Sequence, residues 1–255
     1  MPIAGRFDAP TPDMTRTIAM NLESTSADGR DSETVSAYPV YLRGDLDEPS
    51  RWLWLLKWLL AIPHYIVLVF LWIAFVVLTV AAGVAILFTG RYPRSIFDFN
   101  VGVMRWSWRV QFYTYAALGT DRYPPFTLRP TGYPAEIQVD YPERLSRGLV
   151  LVKWWLLAIP HYLVVTAMWS GSVVLADDDG NSPTAIPLIG VLVLVAAATL
   201  LVTGRYPRAL FDFVLGINRW LYRVLAYAAL MRDEYPPFRL DQGPREPVDF
   251  RTRLI

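Results

Sequence analysis

Two histidines stand in the same tetrapeptide, Ile-Pro-His-Tyr, at His64 and His161, each inside a long apolar run. An ionisable group at membrane depth is a functional candidate, because placing it there is expensive. Two imidazoles that meet can relay protons or form half of a metal site. Alternatively, each can help satisfy the carbonyl that its preceding proline frees in a helix. A metal centre needs further ligands, and no Asp, Glu or Cys stands at comparable depth, so no metal is expected. Lys57 and Lys153 precede their histidines by seven and eight residues. Snorkelling to the headgroups is the ordinary use of such lysines, and the unequal spacing argues against a shared role.

A second set of candidates is basic. Asp98, Gly102, Arg105 and Arg109 are spaced 4, 3 and 4, and Asp212, Gly216, Arg219 and Arg223 repeat the spacing. Each quartet lines one helical face, with Trp106, Trp220 and other aromatics on the remaining faces. Such a helix suits the headgroup plane, its guanidiniums pairing with Asp98 and Asp212 or binding lipid phosphates or a partner's carboxylates. Arg91, Arg94, Arg205 and Arg208, in two copies of TGRYPR, complete the expected interfacial basic residues. Thr-Gly-Arg-Tyr-Pro reads as a helix C-cap and stop, since neither glycine-rich phosphate-loop pattern is present. No Ser–His–Asp set, paired carboxylates or cofactor motif stands out, so neither an enzyme nor a cofactor is expected.

These residues must be positioned by apolar elements. The chain has 255 residues, 54% hydrophobic and 14% aromatic, with mean hydropathy +0.29 and net charge +1. No global field points to nucleic acid. Cysteine is absent, which excludes disulfides, thiolate metal sites and thiol nucleophiles. The runs from Arg51 to Arg94 and from Leu149 to Arg208 exceed the length of about 18 apolar residues that reads as membrane-spanning. Residues 1–37 are Pro-, Ser-, Thr- and Asp-rich without apolar periodicity, lack a signal peptide, and are expected to be a disordered tail.

From Tyr38 the chain repeats itself. YPVYL, IPHY, TGRYPR, FDF, RW with RV, YAAL and YPPF recur in order, giving units at 38–128 and 133–240 and a tail at 241–255. The second unit carries an extra acidic stretch, Ala176–Thr184, that divides its apolar run in two. A straight helix over the undivided first run would be nearly twice as long as the hydrocarbon is thick, so a tight hairpin is expected there too. The expected fold is an all-α membrane protein with two tandem repeats. Each repeat is a transmembrane helical hairpin plus an amphipathic interfacial helix, with short cytoplasmic β segments at Phe126–Leu128, Ala135–Val139 and Phe238–Leu240. Arginines cluster on one side and Asp177–Asp179 on the other, which puts both termini in the cytoplasm.

The ordered set IPHY, TGRYPR, FDF, RW with RV and YPPF resembles the bacterial membrane family known as domain of unknown function 4389, common in actinobacteria. The resemblance covers nearly everything outside the N-terminal tail. It implies a bacterial inner-membrane protein and carries no catalytic residues. The expected function is a non-enzymatic multi-pass membrane protein, an accessory or scaffold subunit that binds a membrane partner or self-associates. Its arginine-rich helices are expected to contact anionic lipid. The alternative is a small proton or ion channel or transporter using His64 and His161 at the repeat interface.

Overall fold

The computed structural model describes residues 38–50, 52–114, 117–170, 173–175, 184–186 and 188–241. The N-terminal tail, the acidic loop Asp177–Asp179 and the C-terminal residues from 242 lie outside them. The chain is mostly helical.

The first apolar run forms one uninterrupted helix, α1 (Trp54–Thr89), of 36 residues. The hairpin expected there is corrected: between Trp54 and Thr89 only Pro63 and Gly83 oppose a helix, and neither is followed by turn residues. At 1.5 Å per residue α1 is about 54 Å long. Gly90, with φ of 70°, ends it, and its N–H bonds to the Ile86 carbonyl at 2.7 Å. Pro93, whose fixed φ cannot continue α1, precedes α2 (Arg94–Tyr113), which folds back along it.

The second repeat opens with α3 (Arg147–Val152), a π-helical turn at Lys153–Leu157, and α4 (Ile159–Ser170). A β-hairpin of β3 (Val173–Leu175) and β4 (Thr184–Ile186) follows, then α5 (Leu188–Thr203) and α6 (Arg208–Ala228). Aligned on IPHY and TGRYPR, the β-hairpin interrupts the second repeat where α1 is continuous. Gly204 (φ 70°) and Pro207 repeat the cap and stop.

Strands β1 (Val40–Gly44) and β2 (Ala135–Val139) are the leaders of the two repeats, and they pair with each other, antiparallel. Equivalent residues Leu42 and Ile137 face one another at the centre of the register, so a local twofold relation passes between them. Asp45 N–H bonds to Pro134 O and Asp140 N–H to Pro39 O, both about the same pseudo-axis, at 2.8 and 2.9 Å. Of the three segments expected to form strands, Ala135–Val139 does. Phe126–Leu128 and Phe238–Leu240 do not, because arginines rather than a neighbouring strand supply donors to their carbonyls.

Helix α2 does not lie on the surface: 13 of its 20 residues are buried. It is sandwiched between α1 and β2, and α6 is likewise central. Antiparallel contacts at Trp108–Tyr222 and Phe112–Phe211 join α2 to α6 in the main core. The surface-lying amphipathic helices expected here are therefore corrected to core elements. Their basic face meets carbonyls and a carboxylate inside the molecule, which makes burial affordable.

Candidate functional site

The repeated motifs assemble two matching stations in each repeat, both built on the outer helix. The first is a buried cation. Lys57 is fully buried and pairs with Asp121 at 2.8 Å, donates to Thr120 O at 2.7 Å, and lies over the Tyr113 ring. Lys153 repeats every element: Asp233 at 2.7 Å, Arg232 O at 2.6 Å, and the Tyr227 ring. Asp121 and Asp233 also accept the backbone N–H of Ser50 and Ser146. Both lysines turn inward to a carboxylate instead of snorkelling.

Sequence spacing set the two lysines out of register, and the π-helical turn restores it. Lys-Trp-Leu-Leu in the first repeat is Lys-Trp-Trp-Leu-Leu in the second. The extra residue is absorbed where Ala158 N–H reaches back five residues to Lys153 O at 3.1 Å. Deleting Trp155 is therefore expected to convert the turn to regular α-helix and keep the fold, lowering stability by at most about 1 kcal/mol. Deleting Leu60, between Lys57 and His64, rotates one station by about 100° from the other and should abolish cooperative unfolding. Thermal melts of the two purified deletion variants check the contrast.

The second station is an aromatic enclosure for each histidine. His64 is fully buried, accepts the Trp106 indole N–H at Nδ1 (3.0 Å), and stacks on Phe126 with centroids 3.9 Å apart beside Tyr123. His161 lies between Trp220 and Phe238 beside Tyr235, and its Nε2–H donates to Pro236 O at 3.1 Å. IPHY is thus the partner of YPPF. Both rings hold the Nε2–H tautomer, and the second nitrogen of each is buried without a partner. Near Pro63 the Tyr123 hydroxyl donates to Leu60 O at 3.0 Å. Among the described residues no contact joins the two imidazoles, and no group of three His, Asp or Glu is placed to hold a metal.

The arginine stripes are spent inside the molecule. Fully buried Arg109 donates to Thr127 O (3.0 Å), Arg129 O (2.8 Å) and Glu136 Oε1 (2.5 Å). Arg105 donates to Leu128 O (2.8 Å) and Ile137 O (3.2 Å) and pairs with Glu136 at 3.2 Å. Across the pseudo-axis Arg219 donates to Leu42 O at 3.2 Å, and Arg223 donates to Arg239 O (2.9 Å) and to Asp241 O. Burial pulls the Arg223 guanidinium down to about 10, which leaves it charged at neutral pH. Gly102 and Gly216 complete the motif, because a Cβ there would lie 2.8 and 2.7 Å from the Cβ of Leu128 and Leu240. The glycine lets the segment after YPPF lie against the helix, within reach of the arginines. Arg105, Arg109, Arg219 and Arg223, expected to contact lipid or a partner, direct donors at the chain's own carbonyls and at Glu136. Trp106 and Trp220 wall the histidines.

The TGRYPR arginines remain at the surface. Arg94 lies over Tyr141 and 3.9 Å from exposed Asp98, Arg205 and Arg208 are exposed between α5 and α6, and Arg91 opens onto a basic cavity. Asp121, Asp233 and Glu136 were missed in sequence. Their signal was present for the first two, since Asp stands two residues before both YPPF copies, and absent for Glu136, whose equivalent is Tyr41.

No curated protein and no solved structure matches this chain. A family model described as "Domain of unknown function (DUF4389)" matches residues 51–127 and 185–239, just over half of the chain. The first segment carries α1, α2 and YPPF of repeat one. The second begins beyond the acidic insertion and carries α5, α6 and the second YPPF. The chain accordingly belongs to the DUF4389 family, whose domain it contains in two segments.

Proposed function

We propose that this chain is a non-enzymatic membrane protein, an accessory or scaffold subunit whose outer helices are immersed in one leaflet while α2, α6 and the sheet stay at its aqueous face. The observation that carries this reading is the exposed apolar surface of α1. Its most apolar 18-residue window has a mean hydropathy of 2.8, and only 22% of it is buried. A soluble protein's core helix would be mostly covered. Leu55, Leu59, Ile66, Phe70, Ile73, Val77, Val84 and Phe88, spread along the whole helix, are each at least 45% exposed. Trp154, Leu163, Leu194 and Val202 continue an apolar surface on the second repeat. Patches of this extent mark membrane or protein contact.

Two observations favour immersion in one leaflet over the four spans that hydropathy suggests. Helix α1 is about 54 Å long, against a hydrocarbon thickness of about 30 Å. Its midpoint is also tied to polar structure: Trp72 donates to Ser107 of α2 at 3.0 Å, two residues from Arg105, which binds β2 and Glu136. A crossing α1 would draw a two-stranded sheet and the exposed Arg129 toward the bilayer centre, where open sheet edges are not tolerated. The channel alternative requires His64 and His161 to share a path, whereas each is walled by its own repeat's aromatics.

The chain has no cysteine, so single cysteines can be mapped directly. Glu48→Cys and Asp98→Cys flank opposite ends of α1 and are expected to label with a membrane-impermeant maleimide from the same side of intact vesicles. Val77→Cys should stay protected until detergent is added. Labelling of the two flanking positions from opposite sides would establish a crossing α1 and reject immersion in one leaflet.

A further inference from the structure

One place in the fold joins an apolar groove to unpaired positive charge. The groove, about 550 Å³, runs between the C-terminal half of α1 and the second repeat, with Phe75, Val80 and Gly83 on one wall and Val150, Trp154 and Leu225 on the other. It opens onto the exposed apolar face, since Val80 and Leu151 at its mouth are 64% and 59% exposed. Beyond its end lies a cavity of about 510 Å³ lined by Thr89, Gly90, Arg91, Arg144, Leu145 and Arg147. The Leu145 N–H bonds to Gly90 O at 2.9 Å, which fixes the leader of α3 against the end of α1. Gly83 and Gly90 are seven residues, about 10 Å, apart along α1, and Arg147 and Val150 are one turn apart on α3. The two cavities therefore follow one another along the same pair of elements.

Charge identifies the occupant. Among the described residues no carboxylate pairs with Arg91, Arg144 or Arg147, although Arg94 has Asp98 and both Arg105 and Arg109 have Glu136. Three guanidiniums converging without a counter-ion repel one another and present forked donors suited to phosphate oxygens. The chain builds this arrangement at one of its two equivalent positions only. The position equivalent to Arg144, counted from the matching Ser50 and Ser146, is Glu48, and the π-helical turn that sets Trp154 beside the groove has no counterpart in repeat one.

We propose that an anionic phospholipid binds at this junction, with its phosphate among Arg91, Arg144 and Arg147 and one acyl chain in the groove below. The proposal rests on the membrane reading above and assigns the lipid contact to residues other than the buried helix arginines. A net-negative headgroup is preferred to a zwitterionic one, whose ammonium would add a fourth cation to the three arginines.

The full-length chain is reconstituted into nanodiscs containing phosphatidylglycerol in excess phosphatidylcholine, released, and weighed by native mass spectrometry. One retained phosphatidylglycerol per chain is expected. An Arg144→Gln, Arg147→Gln variant should lose the preference for phosphatidylglycerol about tenfold. Val80→Trp, which fills the groove, should lose retained lipid of either headgroup. Arg208→Gln, on an exposed arginine outside the junction, should behave as the parent and report correct folding. Retention by the double variant equal to the parent, or no preference in the parent, overturns the site. Retention unchanged by Val80→Trp but competed by inorganic phosphate overturns the lipid in favour of a free anion. Flotation of the parent with vesicles separates the two levels: a chain that fails to float removes the membrane reading, whereas one that floats without selective retention removes only this site.

Discussion

Replacing Glu136 by alanine is expected to lower unfolding free energy by about 3–5 kcal/mol, the cost of leaving a buried cation without its counter-ion. Glu136 is 5% exposed and is the one carboxylate that meets both Arg105 and fully buried Arg109. It also accepts the Thr131 N–H at 3.0 Å, so its loss orphans a turn donor as well. In a chain of this size the change should appear as a fall of about 6–20 °C in Tm. Asp98→Ala is the matched control. Its partner Arg94 is 3.9 Å away and both side chains are largely solvated, so the expected change is below about 1 kcal/mol. Removing both charges with Arg109→Met and Glu136→Leu should not restore the parent, because Arg109 alone serves Thr127 O and Arg129 O. Melts of the four proteins in one detergent decide this. Equal losses for Glu136→Ala and Asp98→Ala would mean that the sheet is held by packing and not by this network.

That contrast also explains which parts of the molecule were legible in sequence. Helices, caps and the tandem repeat follow from local patterns: TGRYPR ends a helix because glycine takes a positive φ and proline cannot continue it. Which way a helix faces is a tertiary matter. The D-G-R-R stripe is amphipathic in sequence and reads as a membrane-surface face. Its actual partners are carbonyls at 127–129 and 239–241 and one glutamate contributed by the other repeat's leader, none within a helical turn. The glycine in that stripe was the available hint, since a small residue one turn before two arginines marks close approach of backbone. The continuous α1 was hidden by the opposite error. Helix length was judged against bilayer thickness, but a helix need not stand upright in a bilayer, so length alone does not force a turn. IPHY and YPPF were both recognised and left unpaired, because nothing in their spacing states that one encloses the other.

The lysine stations supply the second large effect, and they predict an asymmetry between the two members of one ion pair. Lys57 is fully buried, whereas the Asp121 side chain keeps 27% of its exposure. Asp121→Ala therefore strands an ammonium that has only Thr120 O and the Tyr113 ring for company, and about 3–5 kcal/mol should be lost. Lys57→Met removes the cation while retaining an unbranched apolar stem, and the remaining carboxylate can turn to water and to the Ser50 N–H. Its cost should be about 1–2 kcal/mol. The double variant should resemble Lys57→Met and not the sum, which would give a coupling energy equal to the Asp121→Ala loss, about 3–5 kcal/mol, in a double-mutant cycle. The same order is expected for Asp233→Ala and Lys153→Met, because Asp233 is 26% exposed and the geometry is nearly superimposable. Denaturant titrations of both cycles provide the measurement. If Asp121→Ala and Lys57→Met cost the same, the buried lysine is reaching water or lipid phosphate after all, and snorkelling would replace the closed ion pair as the account of this motif.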